Sequence, residues 1–95
     1  MIRREGERLV VSGPVTVANV AALLEESKAH VASVRSVDLG EITDLDSSLL
    51  ALLLAWMREA RARGGTLTFS RVPRELGTLA QLYGVAELLP QDAAR

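Results

Sequence analysis

A chain of 95 residues holds one domain and leaves no room for a second core. Its apolar fraction of 48 % supports a globular core, while a net charge of −1, from 11 basic and 12 acidic residues, gives no electrostatic footprint for nucleic acid. Without cysteine there is neither a disulfide frame nor a thiolate metal site, and a single Trp, Tyr and Phe offer little for base stacking.

The segment Met1-Ile-Arg-Arg-Glu-Gly-Glu-Arg8 turns polar at once and does not read as a signal peptide. Arg8 to Ser12, short and β-branched, predicts a first strand, with a short second strand near Val15 after Gly13-Pro14. Thr16 is placed to N-cap a helix whose face is Val20, Leu23, Leu24, Ser27, Val31 and Val34, at three-and-four spacing. Ser36 to Gly40 predicts another strand, and Glu41 to Asp46 a polar loop anchored by Ile42 and Leu45. Ser47 opens a long helix that runs to about Arg63 and is stopped by Gly64-Gly65. Thr66 to Ser70 alternates as a strand with one wet face, and Pro73 takes the first position of a last helix. Leu76, Leu79, Ala80 and Tyr83 form its buried face and Gly84 ends it; Val85, Leu88 and Leu89 pack a short tail before Pro90, and residues 91–95 fray.

The order β-β-α-β-α-β-α predicts an α/β domain with a mixed, mostly parallel sheet covered by helices. The longest apolar run, Leu49 to Met57, falls short of the roughly 18 residues that a membrane span needs, so no direct membrane insertion is expected. The chain reads as soluble and cytoplasmic.

Little in the sequence reads as chemistry. A nucleophilic Ser47 needs a base, and the one histidine, His30, stands near the end of the first helix, where it suits the helix dipole. Gly64-Gly65 falls between helix and strand, the wrong side for a phosphate loop. Glu41, Asp44 and Asp46 lack the further ligands of a calcium loop. The reading is of a protein that is not an enzyme, with no metal and no cofactor.

What remains is the turn Asp44-Leu-Asp-Ser-Ser48 and the helix after it. Asp46 or Ser47 serves as an N-cap, and both carboxylates suit the positive helix end. With about 100° per residue, Leu53, Trp56, Met57 and Ala60 cluster within about 80° of Leu49, flanked by Leu50 and Leu52. The opposite side carries Ala51, Leu54, Ala55, Arg58 and Ala62, where a surface helix normally carries charge. Alanine is also the best helix former, so this strip has a purely structural reading. The functional reading joins Asp44, Asp46, Ser47 and Ser48 to the strip as one partner-binding surface. The same strip leaves a homodimer of the isolated chain open.

Val37-Asp-Leu-Gly-Glu-Ile-Thr-Asp-Leu-Asp-Ser-Ser48, followed by an apolar helix, Gly-Gly and a strand, resembles the STAS domain of anti-sigma-factor antagonists and transporter-associated modules. Thr78-Leu-Ala-Gln-Leu-Tyr-Gly-Val-Ala-Glu-Leu-Leu-Pro90, with Leu50-Ala-Leu-Leu-Leu54, is most similar to the branch of that family serving Gram-negative phospholipid transporters. The resemblance implies a STAS-like fold and a non-enzymatic subunit that binds the cytoplasmic ATPase subunit of an inner-membrane ABC transporter. It implies a cytoplasmic protein peripheral to the inner membrane through its partner. The family's phospho-acceptor position falls on Ser47, so an anti-sigma-factor antagonist switched by phosphorylation there is the alternative. Many members follow that position with a small residue and Gly, where this chain has Ser48-Leu49. Leu49 is expected to bar close approach to the turn and to weigh against a kinase.

Overall fold

The computed structural model describes residues 1–85 and Glu87. Its first element is a hairpin of β1 (Ile2–Glu5) and β2 (Arg8–Val15), antiparallel, with Glu5 opposite Arg8 and Gly6 turning the chain at φ +66°. The expected hairpin is therefore displaced by one strand. Val15 continues β2 through register irregularities near Ser12 and Gly13-Pro14, and the partner strand is the polar N-terminus. Ile2 is the one core side chain of β1; the charges beside it hide the strand signal.

β3 (Ser36–Leu45) lies parallel to β2, and β4 (Thr68–Ser70) parallel to β3, giving a four-stranded order β1-β2-β3-β4. The segment Glu41–Leu45, expected as a loop, is strand, because Ser12 to Val15 supply its ladder. That pairing is non-local, and Glu41, Thr43 and Asp44 mask it in the sequence. β4 also starts two residues later than expected, after buried Leu67.

Alternate residues divide the sheet into two faces. Ile2, Leu9, Val11, Val37, Leu39 and Phe69 join one core with the helices. Arg3, Glu5, Arg8, Val10, Asp38 and Ser70 face the other way. There Val10 stands between Arg3 and Asp38 in the neighbouring strands, among ion pairs. Arg3 bonds Glu5 (2.8 Å) and Glu41 (3.0 Å), Arg8 bonds Glu5 (3.0 Å), and Arg71 bonds Asp38 (2.8 Å). Parallel strands usually need cover on both faces; here helices cover one face and the other carries these paired charges.

α1 (Val20–Ser27) is shorter than its apolar spacing. Thr16 is not its N-cap: the Thr16 carbonyl accepts from the Asn19 and Val20 amides, and Asn19 Oδ1 accepts from Thr16 N. Val31 and Val34 are buried as predicted, but from a 3₁₀ turn (Val31–Ser33) and from extended chain. Ser27 Oγ donates to the Leu24 carbonyl and accepts from Trp56 Nε1, both at 2.7 Å, which pins α1 to the next helix in the core.

α2 (Ser47–Ala62) matches the expected helix, with Gly64 turning the chain at φ +78°. Leu49, Leu50, Leu52, Leu53, Trp56 and Ala60 are buried, and Met57 half-buried. α3 (Arg74–Leu82) begins just after Pro73, not on it. Leu76 and Ala80 are buried and Leu79 half-buried, but Tyr83, expected inside, is 57 % exposed. Val85 is half-buried and donates its N–H to the Ala80 carbonyl. The expected packing of Leu88 and Leu89, and the fraying of 91–95, lie outside the described residues.

Candidate docking surface at the start of α2

β3 and β4 are parallel neighbours, so the helices that follow them start at the same edge of the sheet. This brings the first turn of α3 beside the first turn of α2. Asp46 holds the junction. Its Oδ1 accepts from Ser48 N (2.8 Å) and caps α2, and its Oδ2 accepts from Val17 N (3.0 Å) in the β2–α1 connection. One carboxylate thus ties two connections together. The Val17 and Ser48 amides hold the Asp46 carboxyl below its ordinary pKa, since both bonds favour the charged form.

Of the residues singled out from the sequence, Asp44 and Ser47 are exposed, and Asp46 and Ser48 are half-buried. Ala51, Arg58 and Ala62 are exposed, whereas Leu54 and Ala55 are half-buried. Leu54 packs on the margin of the core, so the outward strip has an apolar foot inside it. The strip is also not flat. Leu54, Met57, Arg58 and Arg61 line a small depression of about 230 Å³ on the second half of α2.

A larger cleft of about 460 Å³ adjoins Ser47, lined by Leu45, Asp46, Ser47, Arg74, Glu75, Thr78, Leu79 and Tyr83. None of the α3 residues of this cleft was singled out as a site residue from the sequence, which put Leu79 and Tyr83 on the buried face of that helix. The available signal was a second stripe on α3, Thr78, Leu79 and Tyr83, beside its buried stripe of Leu76 and Ala80. Val17, 79 % exposed, adds an apolar side chain next to Asp46.

Two sequence expectations change here. Leu49 is fully buried, so it does not stand over the turn or bar approach to Ser47. Ser47 and His30 also belong to different ends of the fold. The start of α1 adjoins Asp46, and His30 comes after its far end. Glu41 bonds Arg3 and Asp46 is occupied by amides, so the acidic side chains near the turn do not converge. No group of metal-binding side chains is found among the described residues, and no helix among them is long and apolar enough to cross a membrane.

The site is thus an exposed serine at the first turn of a helix, set on a parallel β–α framework with a largely apolar cleft beside it. Residues 1–90 match the family described as Mlab, STAS domain, and the chain belongs to that family. It is 31 % identical over 87 residues to the intermembrane phospholipid transport system binding protein MlaB of Escherichia coli K12, covering 90 % of each chain. The MlaB of Shigella flexneri matches equally. Among solved structures, the anti-sigma factor antagonist SpoIIAA in its unphosphorylated form superposes with a TM-score of 0.71 at 17 % identity, over 98 % of this chain and 87 % of that one. The phosphorylated form of the Bacillus SpoIIAA gives 0.66 at 17 % identity, over 98 % and 90 %. A proposed anti-sigma factor antagonist of Thermotoga maritima gives 0.74 at 9 % identity, over 96 % and 83 %. These structures establish the shared fold.

Proposed function

We propose that this chain is a non-enzymatic subunit that binds the cytoplasmic, MlaF-like ATPase of an inner-membrane ABC transporter for phospholipids. It supports assembly and activity of that complex, which maintains outer-membrane lipid asymmetry, and is held at the membrane through its partner. The observation that carries this reading is the 31 % identity to MlaB across nine-tenths of both chains. The geometry supports it. The cleft between Asp46, Ser47 and α3 offers a largely apolar recess, and the surface proposed for the partner continues from it through Asp44, Ser48 and the helix strip Ala51, Leu54, Ala55, Arg58 and Ala62. Such a site, apolar at the centre and polar at the edge, is the usual anatomy of a protein contact.

A second reading, an anti-sigma-factor antagonist phosphorylated at Ser47, is favoured by one feature: Ser47 is exposed and unobstructed at a helix N-terminus. A phosphate there gains from the helix dipole and is repelled by Asp44 and Asp46. Affinity capture of the tagged chain from its own cells, with mass spectrometry of both partner and bait, separates the readings. The transporter reading expects an ABC ATPase with an unmodified Ser47; a kinase and sigma-factor regulator with phosphate on Ser47 would replace it.

A further inference from the structure

Arg71 is the sole non-glycine residue at positive φ among the described residues, at +52°. A side chain pays for that conformation, and it persists only where its surroundings hold it. Two features do so. Asp38, 3 % exposed, accepts from Arg71 Nε (2.9 Å) and from its terminal nitrogen (2.8 Å), a two-pronged bond of fixed geometry. Gly40, next but one along β3, leaves the space in which the guanidinium lies, since a Cβ there would overlap Arg71 Nε and Cζ. The Gly40 amide completes the arrangement by donating to Asp38 Oδ1 at 2.8 Å.

Three separate positions in the sequence thus converge on one backbone conformation, on the sheet face away from the helices. Just three residues, Arg71, Val72 and Pro73, join β4 to α3, and Pro73 has little backbone freedom of its own. The backbone angle at Arg71 therefore sets where α3 starts. α3 in turn supplies Arg74, Glu75, Thr78, Leu79 and Tyr83 to the cleft beside Ser47.

We infer that the Asp38–Arg71 clasp, seated on Gly40, positions α3 and so sets the shape of the docking cleft from the opposite face of the sheet. Arg71 is a positioning residue, with no contact to the partner. The consequence for affinity rests on the docking reading; the consequence for α3 does not.

The test compares the wild type with Arg71→Gln, with Gly40→Ala, which keeps both charges but fills the seat, and with the Asp38→Asn/Arg71→Gln pair, which leaves no unpaired buried charge. Amide chemical shifts are followed in the full chain, and affinity for the transporter ATPase is measured alongside. In every variant the amides of residues 74–79 and of Ser47 and Ser48 shift together, and affinity falls roughly tenfold, the size of a modest coupling between sites. Arg71→Lys, which keeps charge without the two-pronged bond, moves the same amides less. Shifts confined to residues 38–41 and 70–72, with α3 unmoved, overturn the inference even if melting temperature drops, because a merely stabilising pair predicts that pattern. Loss of ATPase binding by the wild type would instead overturn the docking reading, and the amide result would still decide the role of the clasp.

Discussion

Replacing Ser27 by Ala removes a hydroxyl that is 0 % exposed and leaves the indole N–H of Trp56, itself 1 % exposed, without its acceptor at 2.7 Å. A buried donor left unpaired costs about 1–3 kcal/mol, more than the net worth of the bond, because water cannot replace the lost partner. The helix-propensity gain of Ala over Ser offsets at most about 0.5 kcal/mol, and less here, since Ser27 is the last residue of α1. A net loss of roughly 2 kcal/mol corresponds to a drop in melting temperature of roughly 8–16 °C for a domain of this size. Urea denaturation followed by tryptophan fluorescence reads the same change as a lower midpoint with an unchanged slope. The decisive comparison is a double-mutant cycle with Trp56→Phe. That change alone removes the N–H and some buried volume. In its background Ser27→Ala strands nothing, so it costs under about 0.5 kcal/mol, giving a coupling of roughly 1–2 kcal/mol. Additive losses would refute the bond as the seam between α1 and α2, as would a neutral Ser27→Ala.

Other expectations follow from the same geometry. Asp46→Ala removes the cap of α2 and the tie to Val17 together; faster hydrogen exchange is expected at the Ser48 and Val17 amides, with a lower melting temperature, whereas Asp46→Asn retains part of both. The Asp38 carboxyl is held below its ordinary pKa chiefly by the Arg71 hydrogen bond, against the opposing effect of burial, and Asp46 is lowered by its backbone amides. Depressed folded-state values mean stability that is fully present above the unfolded carboxylate pKa, about 4, and lost as pH falls through the lower folded values. Melting temperature is therefore flat from pH 7 to about 5 with respect to these groups and declines below about 4; an Asp38→Asn/Asp46→Asn variant with the same acid decline would contradict the assignment. Leu54→Glu lowers both partner affinity and melting temperature, because Leu54 is half-buried on the core margin. Reduced affinity with unaltered stability would place that side chain wholly outside.

The parts of the fold legible in the sequence are those with local causes. α2 declared its limits through Asp46 at one end and Gly64-Gly65 at the other, and its buried side through the spacing of Leu49, Leu53, Trp56 and Ala60. The second half of β3 was hidden because its ladder partners, Ser12 to Val15, are distant in sequence and Glu41, Thr43 and Asp44 interrupt its apolar residues Ile42 and Leu45. β1 was hidden for a similar reason: its outward charges pair with Arg8 and Glu41 only once the sheet is assembled. Of the candidate site, Asp46 and Ser47 were readable as the capped turn. The α3 wall was not, since Arg74, Thr78 and Tyr83 reach Ser47 only because two parallel strands end at one edge. Leu49 shows the opposite failure: its position in the motif suggested a guard over Ser47, while helical rotation carries it into the core.

The central claim is that the surface around Ser47 docks the transporter ATPase. Calorimetric titration of the purified ATPase subunit with the wild-type chain and with Ser47→Arg measures it directly. Ser47 is exposed, so the variant is expected to keep the wild-type circular dichroism and melting curve. The account predicts saturable one-to-one binding by the wild type and none detectable by Ser47→Arg. Equal binding by both proteins, or none by the wild type, would contradict it.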